Sequence, residues 1–304
     1  MNFCINRFSN IERKTYEVEI ITPMFLGGAD TMKADTMKAE LRIPPIKGML
    51  RFWWRALHPD LANNNYDSLR KEESGLFGDA GDTYGKSPVK IQFSDINNSL
   101  SLNKFSPLPH SDTKKFQFVG FQPASNSKFK IIITGSEKIH KLFEFSLIVG
   151  GLGKRSRRGF GSLLFKSDDD ANLIDKLLGF IKEINPQNIY KKSDNKEGIE
   201  ISKDYSEAHY PYLKKIQIGK ENTSYDNLLK IIGNSSHIND SDYTGFVRGR
   251  NRFSSPIYVS ITKKNNAYIP VISTLNLAFD LKHSPGKDKS KSFIADIITG
   301  KEGK

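Results

Sequence analysis

Between residues 16 and 166 the sequence switches between extended and helical signatures in one order, and that order limits the fold more than any other feature. Residues 16–22 alternate apolar and polar side chains, the period of a half-buried strand, and Pro23 ends it. Pro44 and Pro45 open a helix that runs from Ile46 to about His58, where Pro59 stops it. Strand signals return at 89–93 and 129–134. Residues 138–149 read as a helix with Ile139, Leu142, Phe143 and Phe145 toward a core, closed by Gly150 and Gly151. Residues 161–166 finish the series as a strand. Strand, helix, strand, strand, helix, strand is the ferredoxin-like unit. Its two helices pack on one face of an antiparallel sheet and leave the other face to bind or be covered.

The second half repeats the pattern less clearly. Asp168, Asp169 and Asp170 mark a boundary and suit the start of a helix over 171–183. A strand at 214–218, a short helix at 225–232, a hairpin of 257–261 with 268–272 and a helix at 293–298 follow. Pro270 places the second hairpin strand at a sheet edge. The expected fold class is α+β, with two tandem ferredoxin-like (RRM-like) βαββαβ domains carrying insertions. Residues 1–167 form the first, and 168–304 form a degenerate second copy. Residues 60–87 and 97–127 read as insertions or long loops. Ala-Asp-Thr-Met-Lys at 29–33 recurs at once at 34–38, a duplicated loop rather than a repeat architecture.

Charge points to the partner. The 304 residues carry a formal net charge of +12, which makes a polyanion, and nucleic acid first, the partner to test. The single cysteine, Cys4, excludes an internal disulfide framework and any cysteine-rich zinc site. The amino-terminal residues hold no apolar run of signal-peptide length. The mainly apolar stretch 143–152 contains Glu144, Ser146 and two glycines and falls short of a membrane span. A cytoplasmic protein with no membrane partner is expected. The six histidines show no metal-ligand spacing, and no GxSxG, HExxH or paired catalytic acids occur, so neither a metal nor a cofactor is expected.

The strongest local signal is residues 150–161, with five glycines and four basic residues in twelve positions between a helix and a strand. Glycines such as Gly151 and Gly153 let a main chain approach a phosphate and expose its amides. Lys154, Arg155, Arg157 and Arg158 add charge and fork-shaped donors. The competing explanation is a solvated basic turn, and the glycine density favours binding. On the first helix Lys47, Arg51 and Arg55 form a basic stripe that any surface helix can show. Trp54 beside it either stacks a base or packs under the insertion. Arg248, Arg250 and Arg252 alternate on extended chain, evenly balanced between a third cationic patch and a wet loop. His58, at the helix end, suits a general base toward a ribose hydroxyl or, more simply, a cap on helix carbonyls. Residues 81–87 miss the P-loop spacing by one residue, and 158–165 mimic an RNP1 strand in the wrong place.

Three segments together, 21–29, 40–56 (with Ile46-Lys-Gly-Met-Leu-Arg-Phe-Trp-Trp-Arg-Ala56) and 150–161, resemble the RAMP superfamily of CRISPR proteins. Leu76-Phe-Gly78 and Ser87-Pro-Val89 fall at the expected places between them. Within that superfamily the chain is similar to the first-named RAMP subunits of type III-B (Cmr) effector complexes. The resemblance implies two ferredoxin-like domains and a non-catalytic subunit of a ribonucleoprotein. It implies binding of crRNA or target RNA near the 3′ end of the guide, beside other RAMP subunits. The family's binding surface carries over to Lys47, Arg51, Arg55, Lys154, Arg155, Arg157 and Arg158. The rival activity is a metal-independent RAMP endoribonuclease processing crRNA precursor, with His58 as its base.

Overall fold

A computed structural model describes residues 10–27, 39–62, 66–79, 85–94, 100–109, 116–166, 172–205, 208–249, 251–278 and 285–301. The duplicated segment at 29–38, the acidic boundary at 168–170 and Arg250 lie outside these residues, as does Cys4. The architecture is mixed α/β with antiparallel sheets. In the first half, β1 (Glu12–Ile20), β2 (Lys90–Ser94), β5 (Lys128–Gly135) and β6 (Leu163–Phe165) form one sheet in the order β2-β5-β1-β6. Period-two patterning sets its register: Tyr16 pairs with Ile131 and Val18 with Phe129, and all four side chains are buried. Helices α1 (Ile43–Ala56) and α3 (Glu137–Val149) connect the strands and pack together.

Helix α1 buries the face read from its 3.6-residue period, with Ile46, Met49, Leu50 and Trp53 inward. Pro44 and Pro45 occupy its first turn, where no intrahelical N–H is needed. Helix α3 is apolar around much of its circumference because it is covered on more than one side. The first sheet lies on one side, and α4 (Leu173–Ile184) and β12 (Ile257–Lys264) pack against it as well. The main apolar cluster therefore runs through both halves, from Tyr16 to Leu275.

Both expected insertions contain regular structure. Residues 60–87 include α2 (Asp67–Phe77), and 97–127 include a hairpin of β3 (Leu102–Phe105) and β4 (Phe118–Phe121). The second sheet has the order β12-β13-β9-β8-β7, from β7 (Tyr190–Lys192), β8 (Gly198–Ile201), β9 (Leu213–Ile218), β12 and β13 (Ala267–Leu275). Helix α5 (Tyr225–Ile238) extends past the expected 232, α6 spans Ser290–Thr299, and a small ribbon joins β10 (Phe246–Arg248) to β11 (Asn251–Phe253). The expected hairpin is present. Its two turn residues, Asn265 and Asn266, take φ of 52° and 70°, the left-handed pair a tight two-residue turn requires.

Pro270 does not mark an edge. β13 is an interior strand, but its ladder with β9 begins at Val271, so the missing N–H falls one residue beyond that pairing, while the Pro270 carbonyl still accepts from Gly219.

Two buried histidines give the fold a pH dependence. His140 contacts the Tyr16 hydroxyl through Nδ1 (3.1 Å) and the Glu12 carbonyl through Nε2 (3.2 Å). His58 Nδ1 lies 2.7 Å from the Trp54 carbonyl. Burial holds both imidazoles below the ordinary histidine value of 6.5. The unfolded chain therefore binds protons that the folded chain resists. Stability is complete above pH 6.5 and falls as pH drops below it. Urea midpoints measured from pH 7.5 to 5.0 are expected to fall, with a shallower fall in His140→Gln. A midpoint that is flat, or that rises toward pH 5, contradicts this.

Candidate functional site

The connection from α3 to β6 is built from the inside. Gly153 has φ +89°, and a Cβ there would stand 2.3 Å from the Phe25 carbonyl oxygen. Gly161 has φ +65°, and its Cβ would stand 1.9 Å from the Leu152 oxygen. The amides of Leu152, Lys154, Gly159 and Gly161 donate to Gly161, Phe25, Val259 and Pro23. The close approach that glycine permits is thus made to the protein's own main chain. This corrects the reading of these glycines as a phosphate cradle throughout.

The four cations of the loop divide into different roles. Arg158 points inward. Its Nε donates to Ser236 Oγ (2.8 Å), Nη1 to Ser255 Oγ and Ile257 O (both 3.1 Å), and Nη2 to Thr244 O (2.5 Å). Its guanidinium also lies 5.0 Å from the Phe293 ring centre. Burial, then Arg155 and Arg157 nearby, pull its pKa down to about 9, so it remains charged at neutral pH. It is an internal tie, not a surface cation. Arg155 Nε donates to Pro107 O (3.0 Å) on the lead out of β3, and burial lowers its pKa. Arg157 donates to Ser255 O and lies 4.6 Å from the Tyr258 ring centre, half-exposed. Lys154 is exposed, with its ammonium 5.1 Å from the Phe118 ring centre.

The basic stripe on α1 is partly neutralised. Arg51 Nε and Arg55 Nη1 both donate to Glu73 Oε1 of α2, at 2.5 and 2.6 Å. Glu73 is 7% exposed at its side chain. Lys47 is half-buried, and burial, then Arg51, hold its ammonium below the ordinary lysine value. Trp54 is buried and stacked on His58, ring centres 4.3 Å apart, so it packs rather than presenting a face to solvent. His58 is buried with it and caps α1 carbonyls. Arg252 is exposed on the β10–β11 ribbon.

The first turns of α1 and the loop meet in a groove of about 240 Å³. Pro45, Gly48, Met49 and Phe52 line one wall; Gly151, Gly153 and Ser156 line the other, with Tyr258 beside them. The structure therefore brings Gly151 and Gly153 against α1, next to Lys47 and flanked by Lys154 and Arg157. It leaves Arg158 and Trp54 inside and Arg252 apart. Helix α1 has no acidic residue in its first turn to offset its positive end. Among the described residues no group of three or more His, Cys, Asp or Glu side chains stands ready for a metal. The groove is lined by apolar and aromatic side chains and glycines, with the exposed Lys154 and the half-exposed Arg157 on the loop that forms one wall.

Three participants escaped the sequence. Glu73 lies in a segment read as an insertion. Its signal was the spacing of Leu69, Glu73, Leu76 and Phe77 after Asp67, a helical period. Tyr258 and Phe52 were read only as strand and helix residues, and no sequence signal places them together, 5.4 Å apart between ring centres.

Comparison with known proteins agrees with the sequence resemblance. Residues 17–166 match the RAMP superfamily. Over 180 residues the chain is 28% identical to the CRISPR system Cmr subunit Cmr1-2 of Pyrococcus furiosus, covering 49% of this chain and 92% of that one. It is 29% identical over 196 residues to Cmr1-1 of the same organism, covering 59% of this chain but 54% of the relative. The fold is similar to the crystal structure of apo Cmr1 from Pyrococcus furiosus, with TM-score 0.56 and 18% identity, over 95% of this chain and 99% of that chain. It is also similar to a chain of a type III-B Cmr-beta complex bound to cognate target RNA, with TM-score 0.56 and 12% identity, over 96% and 99%. No helix among the described residues is long and apolar enough to cross a membrane.

Arg158 gives a test of the internal tie. Arg158→Met strips buried acceptors of their donor, at about 1–3 kcal/mol for each group left unsatisfied. Chemical denaturation is expected to show a loss of roughly 3 kcal/mol. A loss under about 0.5 kcal/mol would place the guanidinium outside the structural frame.

Proposed function

We propose that this chain, which carries a RAMP-superfamily domain over residues 17–166 and is similar to Cmr1 subunits, is a non-catalytic RNA-binding subunit of a type III-B CRISPR effector. It works in the cytoplasm beside other RAMP subunits and holds crRNA or target RNA near the 3′ end of the guide. The groove between α1 and the loop carries this reading. Phosphates sit along the mouth of the groove by Gly151 and Ser156, with Lys47, Lys154, Arg155 and Arg157 supplying charge. Contacts of this kind position a strand without reading its sequence. A chain of similar fold sits in a Cmr-beta complex bound to cognate target RNA, which is consistent with the choice of ligand.

The fold reading is two ferredoxin-like halves, 1–167 and 168–304. β1, α1, β2, β5, α3 and β6 follow that unit's order and strand arrangement. β9, α5, β12, β13 and α6 repeat it in the arrangement β12-β13-β9, with β8 lying where a fourth strand would pair. The ribonuclease reading is disfavoured by His58. A general base must reach the proton it abstracts, and this ring is 5% exposed against Trp54.

The test is equilibrium RNA binding across a salt series. Each phosphate contact on a single strand contributes about 0.7 to the slope of log K against log salt. Lys154→Gln with Arg157→Gln is expected to weaken binding at low salt and flatten the slope by about 1.4, two contacts' worth. Wild-type affinity and slope in the double variant remove the loop from the interface.

A further inference from the structure

Phe52 also lines a second cavity, together with Arg55 on the next turn of α1. Helix α1, helix α2 and the segment at 209–211 enclose about 440 Å³ there. That lies within the range of about 300–1,000 Å³ typical of small-ligand sites. Its apolar walls are Phe52, Tyr66, Leu69 and Tyr210. The Tyr66 and Tyr210 rings meet edge to face, 5.8 Å between centres. Both phenol tips are occupied: Tyr66 accepts from the His209 amide at 3.0 Å, and Tyr210 donates to the His58 carbonyl at 3.0 Å. The rings themselves are what the cavity presents.

Charge in this cavity is arranged unlike that of the loop groove. Arg51 and Arg55 share the Glu73 carboxylate, so the charges of this wall are already engaged with one another. Arg70, on the exposed side of α2, supplies a cation at the rim. Planar aromatic walls, side-chain charges tied up in ion pairs and an exposed cation at the rim match a nucleobase whose own phosphate stays at the edge. Phe52, shared by both cavities, joins them across α1. We infer that the α1–α2 cavity is a nucleobase subsite: a single strand held by its phosphates at the loop crosses Phe52 and packs one base against Tyr66 and Tyr210. This rests on the RNA-binding reading above and adds to it a contact made by a base rather than by the backbone.

The test compares the full chain binding an eight-nucleotide oligouridylate and an eight-unit abasic ribose-phosphate chain of equal charge. Wild type is expected to bind the oligouridylate at least about fivefold tighter, the low end of one base–aromatic stack. Tyr66→Ala, which touches only the second cavity, and Phe52→Ala, on its shared wall, are each expected to lower that ratio by about fivefold. Tyr66→Ala should leave abasic-chain affinity and the salt slope unchanged. An unchanged ratio in Tyr66→Ala, or an equal loss on both ligands, overturns the subsite while wild-type RNA binding stands. Failure of wild type to bind either ligand removes the RNA-binding reading itself, and the subsite with it.

Discussion

A guanidinium buried among neutral oxygens is the contact on which the arrangement turns. Arg158 leaves the α3–β6 loop and ends among α5, the lead into β12 and the side of α6, held by Ser236, Ser255, Thr244, Ile257 and the ring of Phe293. Burying a charge costs several kcal/mol, and hydrogen bonds to a charged group return about 1.5–3 kcal/mol each when their geometry is good. Five donors in a fixed plane allow that here, where a lysine would leave acceptors unmet. The tie is reinforced by main chain: Gly159 donates to Val259, and Val259 donates to Arg157. The loop is therefore fixed to the second half of the chain before any ligand arrives. A fixed loop loses little conformational freedom on binding.

The same economy of position governs α1. One face of the helix fills the core, and its first turns form a wall of the groove. Its basic stripe is answered by one nearly buried carboxylate, Glu73. Pairing two arginines with one acid keeps them ordered and leaves the patch with a net positive charge. Around the groove Lys154 of the loop is exposed and Arg157 half-exposed, and α1 contributes shape, an aromatic ring and Lys47.

Much of the first half was legible because its signals are local. Alternation marked β1, an apolar β-branched run marked β5, the 3.6-residue period gave the buried face of α1, and Pro44, Pro45 and Pro59 bounded that helix. The glycine-rich loop also stood out in the sequence, but what its glycines approach did not. Glycine marks close approach without saying to what, and at Gly153 and Gly161 the neighbour is the chain itself. Likewise, a run of four basic residues does not tell which faces inward; the direction of Arg158 depends on acceptors 78 to 99 positions away in sequence. Helix α2 was obscured by its charge, because its one buried acid answers cations on another element. Pro270 misled because its edge-strand preference reflects a missing N–H, and an interior strand can lack that donor at the end of its neighbour's ladder.

The central claim is that the outward side of this internally anchored loop, with the facing turns of α1, is where RNA lies. Its most direct test is photo-crosslinking of the intact chain to single-stranded RNA carrying 4-thiouridine, followed by mapping of the attached peptides. Adducts concentrated on residues 45–52, on 151–157 and at Tyr258 are expected. Adducts confined to other surfaces, with those segments unmodified at saturating RNA, contradict it.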